Sequence, residues 1–248
     1  MNLLIDLGNT RLKWAALVAG RMRPGGVFAH VDKPLALDLR TEWTEFGRVG
    51  AIFVASVVAP ARDQELAAFL HERFGVRAQF VRSPAAALGV RNAYAEPSRL
   101  GVDRFLALAA AHAQNARLQI LVSAGTALTV DAIDADGIHL GGLIVASPRM
   151  MRAAVLAGTA RVDVADGHCR DLPRSTADAV VTGSLYAAAG AIDRFRATLA
   201  QRLGVPAALV LSGGGGDEIE ALIAPVERAH DLVLHGLALW AEAFAQDR

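Results

Sequence analysis

Asp6-Leu7-Gly8-Asn9-Thr10 lies between the apolar run Leu3-Leu4-Ile5 and the tract Leu12-Lys13-Trp14-Ala15-Ala16-Leu17, a pattern that predicts two strands joined by a tight polar turn. Gly8 lets the backbone approach a ligand closely. Asn9 and Thr10 add short donors and acceptors beside exposed backbone N–H groups, a chemistry suited to phosphate oxygens. Asp6 falls at the strand end, where a carboxylate can hold hydrated Mg²⁺. An ordinary hairpin uses the same residue types, so this segment alone leaves both readings open.

Val122-Ser123-Ala124-Gly125-Thr126-Ala127-Leu128-Thr129-Val130-Asp131 repeats the arrangement, a small polar glycine turn between two apolar runs. The same 117 residues separate Gly8 from Gly125 and Gly20 from Gly137, with apolar tracts following both members of the second pair. Two halves therefore begin on one strand-turn-strand-turn-strand plan. A duplicated domain with a phosphate-facing loop at the start of each half is a nucleotide clamp.

The chain has 248 residues, enough for one large or two small domains with cores of their own, and the repeat favours two, over 1–116 and 117–248. Charge balances at 25 basic and 25 acidic residues, which argues against partners that are nucleic acids or anionic membranes. No apolar run approaches the roughly 18 residues that span a bilayer, and the N-terminus lacks a signal-type pattern; a cytoplasmic location is expected. Cys169 is the only cysteine, which excludes an intrachain disulfide and a thiolate metal cluster. His168 beside Cys169 reads as a loop residue, and His112, on an Ala-rich helical pattern, as packing or surface. Only Lys13 and Lys33 of the basic residues are lysines. A compact ammonium at position 13 can approach a phosphate as a point charge, whereas Lys33 carries no such suggestion.

Strands are predicted near 2–7, 11–18 and 26–31, followed by a short helix in a polar stretch. A buried strand at 51–56 leads to an amphipathic helix over 61–74, with Leu66, Phe69, Leu70 and Phe74 on one face, ending at Gly75. A strand at 78–81 and a turn-rich stretch precede a helix over 103–116. The second half gives strands near 119–123, 128–134 and 138–145, then Ser147-Pro148 as N-cap and first helical residue. That helix runs to about Ala157. A long helix over 175–202, a strand at 208–211, a glycine run at 213–216 and C-terminal helices complete an α/β duplication.

Gly101-Val102-Asp103-Arg104 falls where a proline-containing loop meets a helix start, and helix N-termini carry unpaired N–H groups and partial positive charge. Asp103 can accept the proton of a substrate hydroxyl there, and Arg104 can clamp a carboxylate or phosphate. Capping by Asp103 and surface pairing by Arg104 is the competing account. Gly213-Gly214-Gly215-Gly216 after the strand would let an adenine or ribose lie against the backbone, or form a simple turn. Ser175-Thr176-Ala177-Asp178 is an N-cap signature that also leaves Thr176 free to offer a hydroxyl.

These segments together resemble the type III pantothenate kinases. Asp6-Leu7-Gly8-Asn9-Thr10 with Lys13, Tyr94 upstream of Pro97, Gly101-Val102-Asp103-Arg104, Gly125-Thr126-Ala127 with Thr129 and Asp131, Gly141-Gly142, Thr176 and Gly213-Gly214 occur in the family's order. The resemblance spans almost the whole chain. It implies the acetate and sugar kinase, Hsc70 and actin fold, with two ribonuclease H-like halves, ATP in the cleft, and a homodimer. It further implies that Asp6, Leu7, Gly8, Asn9, Thr10, Arg11, Leu12 and Lys13 form the first phosphate-binding segment, with Mg²⁺ near Asp6 through water, and that Thr126 contacts ATP. Tyr94, Gly101, Val102, Asp103, Arg104 and Thr176 would form the pantothenate site, with Asp103 as proton acceptor. Family members often carry aspartate at the position of Ser123, associated with a monovalent cation, K⁺ or NH₄⁺. A neutral hydroxyl cannot supply that charge, which puts dependence on the cation in question here.

Three functions remain distinct at this level. The leading one is ATP-dependent phosphorylation of pantothenate. A non-catalytic nucleotide-binding regulatory protein on the same fold is the second, and a kinase for another small hydroxyl compound the third.

Overall fold

The computed structural model describes residues 1–31, 34–43, 46–159 and 166–244, and Lys33 lies outside them. The first part of the chain runs β1 (Asn2–Leu7), β2 (Arg11–Val18), β3 (Arg21–Ala29), α1 (Leu35–Glu42), β4 (Ala51–Ser56), α2 (Pro60–Phe74) and β5 (Ala78–Phe80). A short hairpin, β6 (Ala86–Ala87) and β7 (Val90–Arg91), and a 3-10 turn at Pro97–Arg99 precede α3 (Val102–Gln114). The second part runs β8 (Gln119–Ala124), β9 (Ala127–Ile133), β10 (His139–Ala146), α4 (Pro148–Gly158), α5 (Thr176–Leu203), β11 (Ala208–Ser212), α6 (Glu220–Ile223) and β12 (Glu227–Arg228), with α7 (Leu232–Phe244) last.

Each part contains one five-stranded sheet, and the strand orders are the same: β3-β2-β1-β4-β5 and β10-β9-β8-β11-β12. In both, the first strand is antiparallel to the second and parallel to the fourth. Gly20 and Gly137, the second pair at the 117-residue spacing, both adopt positive φ, at 73° and 78°, and each turns the second strand of its sheet into the third. A side chain at Gly137 would also lie 1.9 Å from the Gly89 carbonyl, so glycine is required there on two counts.

The central strand β1 is buried on both faces, which explains its near-continuous apolar run. Leu3, Ile5 and Leu7 join Leu66, Phe69 and Leu70 of α2 and the indoles of Trp14 and Trp43 in one core. By strand alternation Leu4 faces the opposite side, where α7 packs on β1 and β4 and lies along α3. Gly236 makes that approach possible, since a Cβ there would stand 2.3 Å from the Leu106 carbonyl oxygen. In the second sheet Ile120 and Val122 pack with Leu185, Ala188, Ala189, Ile192 and Leu199, the helical spacing of one face of α5. Each fully buried Leu or Ile contributes roughly 1.5–3 kcal/mol by leaving water.

One strand begins earlier than the pattern suggested. β3 spans Arg21–Ala29 rather than starting near 26, although Pro24-Gly25-Gly26 looks like a chain breaker. The strand is at the sheet edge, where proline costs no ladder bond, and the glycines let the backbone lie flat against Trp14, whose ring would be 2.3 Å from a Cβ at Gly25. The helix starts and stops follow their local chemistry. Ser147 accepts a hydrogen bond from Met150 N–H to cap α4, and Gly75 closes α2 in the left-handed region at φ 67°.

By contacts the chain divides into two compact units. The first comprises Met1–Ala116, Asp136–His139 and the segment from Asp231, and the second comprises Arg117–Ala135 with Leu140–His230. A division of the sequence into 1–116 and 117–248 thus shares the crossing after Ala116 but differs at the end of the chain, because the apolar face of α7 packs on α3 and the first sheet.

Candidate active site

The register of the first hairpin places Asp6 opposite Lys13 and Leu7 opposite Leu12. The intervening turn is fixed by Gly8 N–H, which donates to Arg11 O at 3.0 Å, so the next free backbone donor in the segment is that of Asn9. Leu7 and Leu12 are fully buried, and only their backbone can face a ligand. Lys13 Nζ lies 3.2 Å from Asp231 Oδ1, a residue at the start of α7 with φ 49°. The turn lies at the carboxyl end of the parallel pair β1 and β4, where ligands of open α/β sheets bind. Beside it a cavity of about 550 Å³ is lined by Asn9, His30, Val31, Pro34, Val58, Ala59, Arg62 and Glu65.

Burial pushes the carboxyl group of Asp6 from 3.8 up to about 7, and the negative charges of Asp103 and Asp231 add to the rise while Lys13 opposes it. Asp6 thus feels two like charges and one ammonium. A surplus of negative charge in a partly desolvated place favours a cation beside it.

Asp103 stands in the first turn of α3, whose N-cap is Gly101. Its Oδ1 accepts from Arg104 N–H at 2.8 Å, and a Cβ at Gly101 would meet that oxygen at 2.5 Å. Glycine at 101 therefore makes room for the carboxylate. Val102 and Arg104 are both buried, so Arg104 does not pair on the helix surface. It donates from Nη1 to Tyr94 Oη at 3.0 Å and stands 5.8 Å from the Tyr94 ring centroid. Tyr94 in turn stacks on the buried His139, with ring centroids 6.1 Å apart. The loop holding Tyr94 is braced by Asn92, which donates to Pro84 O and Pro97 O and accepts from Tyr94 N–H.

The second unit has its own glycine loop. Gly125 N–H donates to Ala127 O at 3.0 Å, a turn one residue shorter than its counterpart at Gly8. The carbonyl of Thr126 accepts from Ser147 Oγ at 2.7 Å, tying the loop to the cap of α4. The glycine run is not merely a turn, for Gly215 N–H donates to Ala124 O at 2.9 Å, and Gly213, at φ 90°, passes so close that a Cβ would lie 2.4 Å from the same oxygen. Ser123 and Ser212 pair across β8 and β11. Thr176 opens α5, exposed, just after the capping Ser175.

Asp231, His30, Arg62 and His139 were not indicated by any motif. Asp231 lies 218 residues beyond Lys13, and no local pattern announces such a contact.

Two sheets of equal strand order, each with a glycine loop at the end of its central strand, define the actin-like ATPase fold that sugar kinases also use. A protein of Campylobacter jejuni assigned to the Baf family of transcriptional activators superposes with a TM-score of 0.59 at 16% identity, over 97% of this chain and 98% of that one. A ROK hexokinase from Thermus thermophilus superposes with a TM-score of 0.50 at 16% identity, over 100% and 99%. These likenesses concern the fold. In sequence, the family model for type III pantothenate kinase matches residues 2–198. The Type III pantothenate kinase of Xanthomonas euvesicatoria pv. vesicatoria (strain 85-10) is 40% identical over 242 residues, 98% of each chain. The chain belongs to the type III pantothenate kinase family.

The raised Asp6 pKa makes a prediction about stability. The folded state binds the Asp6 proton more tightly than the unfolded state does, so its contribution to stability falls as pH rises from about 3.8 to about 7 and then levels off. Asp6→Asn removes that loss. The melting temperature of the ligand-free variant should exceed that of wild type by a margin that grows over this range and is constant above it; a margin independent of pH would contradict the assignment.

Proposed function

We propose that this protein transfers the γ-phosphoryl group of ATP to the primary hydroxyl of pantothenate, the first step towards coenzyme A. The observation that carries this reading is Asp103, whose carboxylate sits over Gly101 at the start of α3 and within electrostatic reach of Asp6. In the proposed step the hydroxyl oxygen bonds to the γ-phosphorus, the bond to the bridging oxygen breaks to release ADP, and Asp103 takes the hydroxyl proton. Such transition states are loose, so Asp103 acts chiefly by holding the hydroxyl in line.

Lys13 and the backbone of Asp6 through Leu12 hold the phosphates, and the ammonium offsets charge on the transferred group. The carboxylate surplus around Asp6 fits a divalent ion held through water. We take this ion to be Mg²⁺, which keeps most of its waters when it binds. When bound, that ion would draw charge from the phosphate oxygens. Arg104 and Tyr94 bind pantothenate as a preassembled pair, with the guanidinium directed at its carboxylate. By the family resemblance Thr126 contacts ATP and Thr176 contacts pantothenate. Among the described residues no helix is long and apolar enough to cross a membrane, and we place the enzyme in the cytoplasm, where ATP is supplied. A purely regulatory role is not favoured, since Asp6, Lys13, Asp103 and Arg104 are all present.

We also propose a homodimer. In the second unit α4 leaves Met150, Val155 and Leu156 exposed, β10 leaves Leu140 and Ile144, and Leu172 is 81% exposed. We take these side chains as the surface that a second copy covers, in keeping with the dimer that the family resemblance implies.

ADP release by the purified protein should depend on pantothenate, and Asp103→Asn should lower kcat by about 10² to 10⁴; turnover without pantothenate dependence, or full activity in the variant, would defeat the mechanism. Because Ser123 has no charge to hold a monovalent ion, wild-type rates in K⁺ and Na⁺ at equal ionic strength should agree, and strong activation by K⁺ would show another ligand set. Sedimentation should give twice the 26.0 kDa chain mass, a monomer at micromolar concentration being the contrary result.

A further inference from the structure

His30 follows β3 and is buried, with 5% of its surface exposed. Its backbone N–H donates to Thr10 O at 3.2 Å, and its ring Nε2 stands 2.7 Å from Gly8 O. A carbonyl oxygen can only accept, so Nε2 carries the proton. The other ring nitrogen must then accept if the ring is neutral, and it faces a group that can only donate, Arg62 Nη2 at 3.0 Å. The same Nη2 donates to His30 O at 2.8 Å. Arg62 Nη1 is held by Glu65 Oε2 at 2.6 Å, and Glu65 Oε1 accepts from Leu35 N–H at 2.8 Å. One polar chain thus runs from the start of α1, through Glu65 and Arg62 about one turn apart on α2, to the glycine turn.

The chain has a directional consequence. The Gly8 carbonyl and the Asn9 N–H belong to one planar trans peptide and point in opposite directions. Holding the carbonyl against His30 therefore aims the Asn9 N–H away from His30. The Gly8 N–H is already occupied by Arg11 O, which leaves Asn9 as the first backbone donor whose direction the turn can set.

We propose that His30, oriented by Arg62, is a positioning residue that fixes the Gly8–Asn9 peptide so that the Asn9 N–H meets a nucleotide phosphate. The inference rests on the reading of Asp6–Lys13 as the ATP phosphate segment. It assigns His30 no contact with substrate and no proton transfer.

Glutamine and asparagine separate the two ring nitrogens. Gln extends an amide N–H to the place of Nε2, whereas Asn reaches only to the place of Nδ1. His30→Asn should weaken ATP binding by about tenfold, measured by calorimetry and as KM for ATP, with kcat and the KM for pantothenate within threefold of wild type. His30→Gln should bind ATP within threefold of wild type. A tenfold loss corresponds to about 1.4 kcal/mol, the size of one buried hydrogen bond. If His30→Asn lowers the melting temperature too far for assay, Arg62→Met tests the same chain from outside, with a smaller loss of about threefold in ATP affinity and a changed ¹⁵N shift at Nδ1 of the ring, whose hydrogen-bond donor is gone, while Nε2 keeps its proton. Equal ATP affinity in His30→Asn and wild type, or an equal loss in His30→Gln and His30→Asn, overturns the proposal. Lys13→Met keeps the two ideas apart: if it weakens ATP binding and His30→Asn does not, the positioning role fails alone. If Lys13→Met also leaves ATP binding unchanged, the phosphate-segment reading fails with it.

Discussion

The Asp6 carboxyl, buried beside Lys13 and within the fields of Asp103 and Asp231, is the constraint on which the first unit turns. Asp6 and Lys13 meet because the β1–β2 register sets them opposite one another. Asp231 reaches Lys13 from the start of α7, and Asp103 adds its field from the start of α3. Two helices therefore begin at the place where the central strand ends, and each brings a negative charge to a spot that burial already makes costly for one. A folded protein does not gather like charges for its own stability. In the proposed function a divalent ion would offset this charge. The partial positive charge at the starts of α3 and α7 eases the crowding in the meantime.

The duplication shows which features belong to the fold and which to chemistry. Strand order, the left-handed glycines at 20 and 137, and a glycine turn after the central strand occur in both units. The polar chemistry differs. Where the first unit sets Asp6 across from Lys13, the second sets Ser123 across from Thr129, both uncharged. The second turn is shorter by one residue, and the space gained by the glycine run beside Ala124 admits backbone rather than side chains. The turn at Gly8 stands beside charged groups, whereas the turn at Gly125 is closed in by the backbone of the glycine run.

Most of the fold was legible because its signals are local. The alternation of Leu3, Ile5 and Leu7, the helical spacing of Leu66, Phe69 and Leu70, the Ser147-Pro148 start and the Gly75 stop each act within a few residues. The glycine spacing carried the duplication. What could not be read was set by distant packing. The extension of β3 through Pro24-Gly25-Gly26 depends on the flat face of Trp14, and the return of α7 to the first unit depends on a gap at Gly236 that fits the backbone of α3. The site divides in the same way. Asp6, Lys13, Asp103 and Arg104 lie in motifs with a recognisable chemistry, while Asp231, His30, Arg62 and His139 contribute by position alone. The burial of Arg104 against Tyr94 is likewise a tertiary fact, since a helix start with Asp-Arg reads equally well as an exposed pair.

The return of α7 also gives the molecule an order of assembly. The first unit's strands and α3 leave the ribosome early, but the helix that covers Leu4 and lies along α3 is synthesised after the whole second unit. Until then the first sheet presents one unfinished apolar face, and Lys13 lacks the carboxylate at Asp231. The second unit, continuous except for a short excursion at Asp136–His139, is drawn almost entirely from one stretch of chain and can consolidate first. The unit that carries Asp6 and Lys13 is thus completed only after the second unit has been made, so a chain interrupted before Asp231 holds the glycine loops of both units without the Lys13–Asp231 pair.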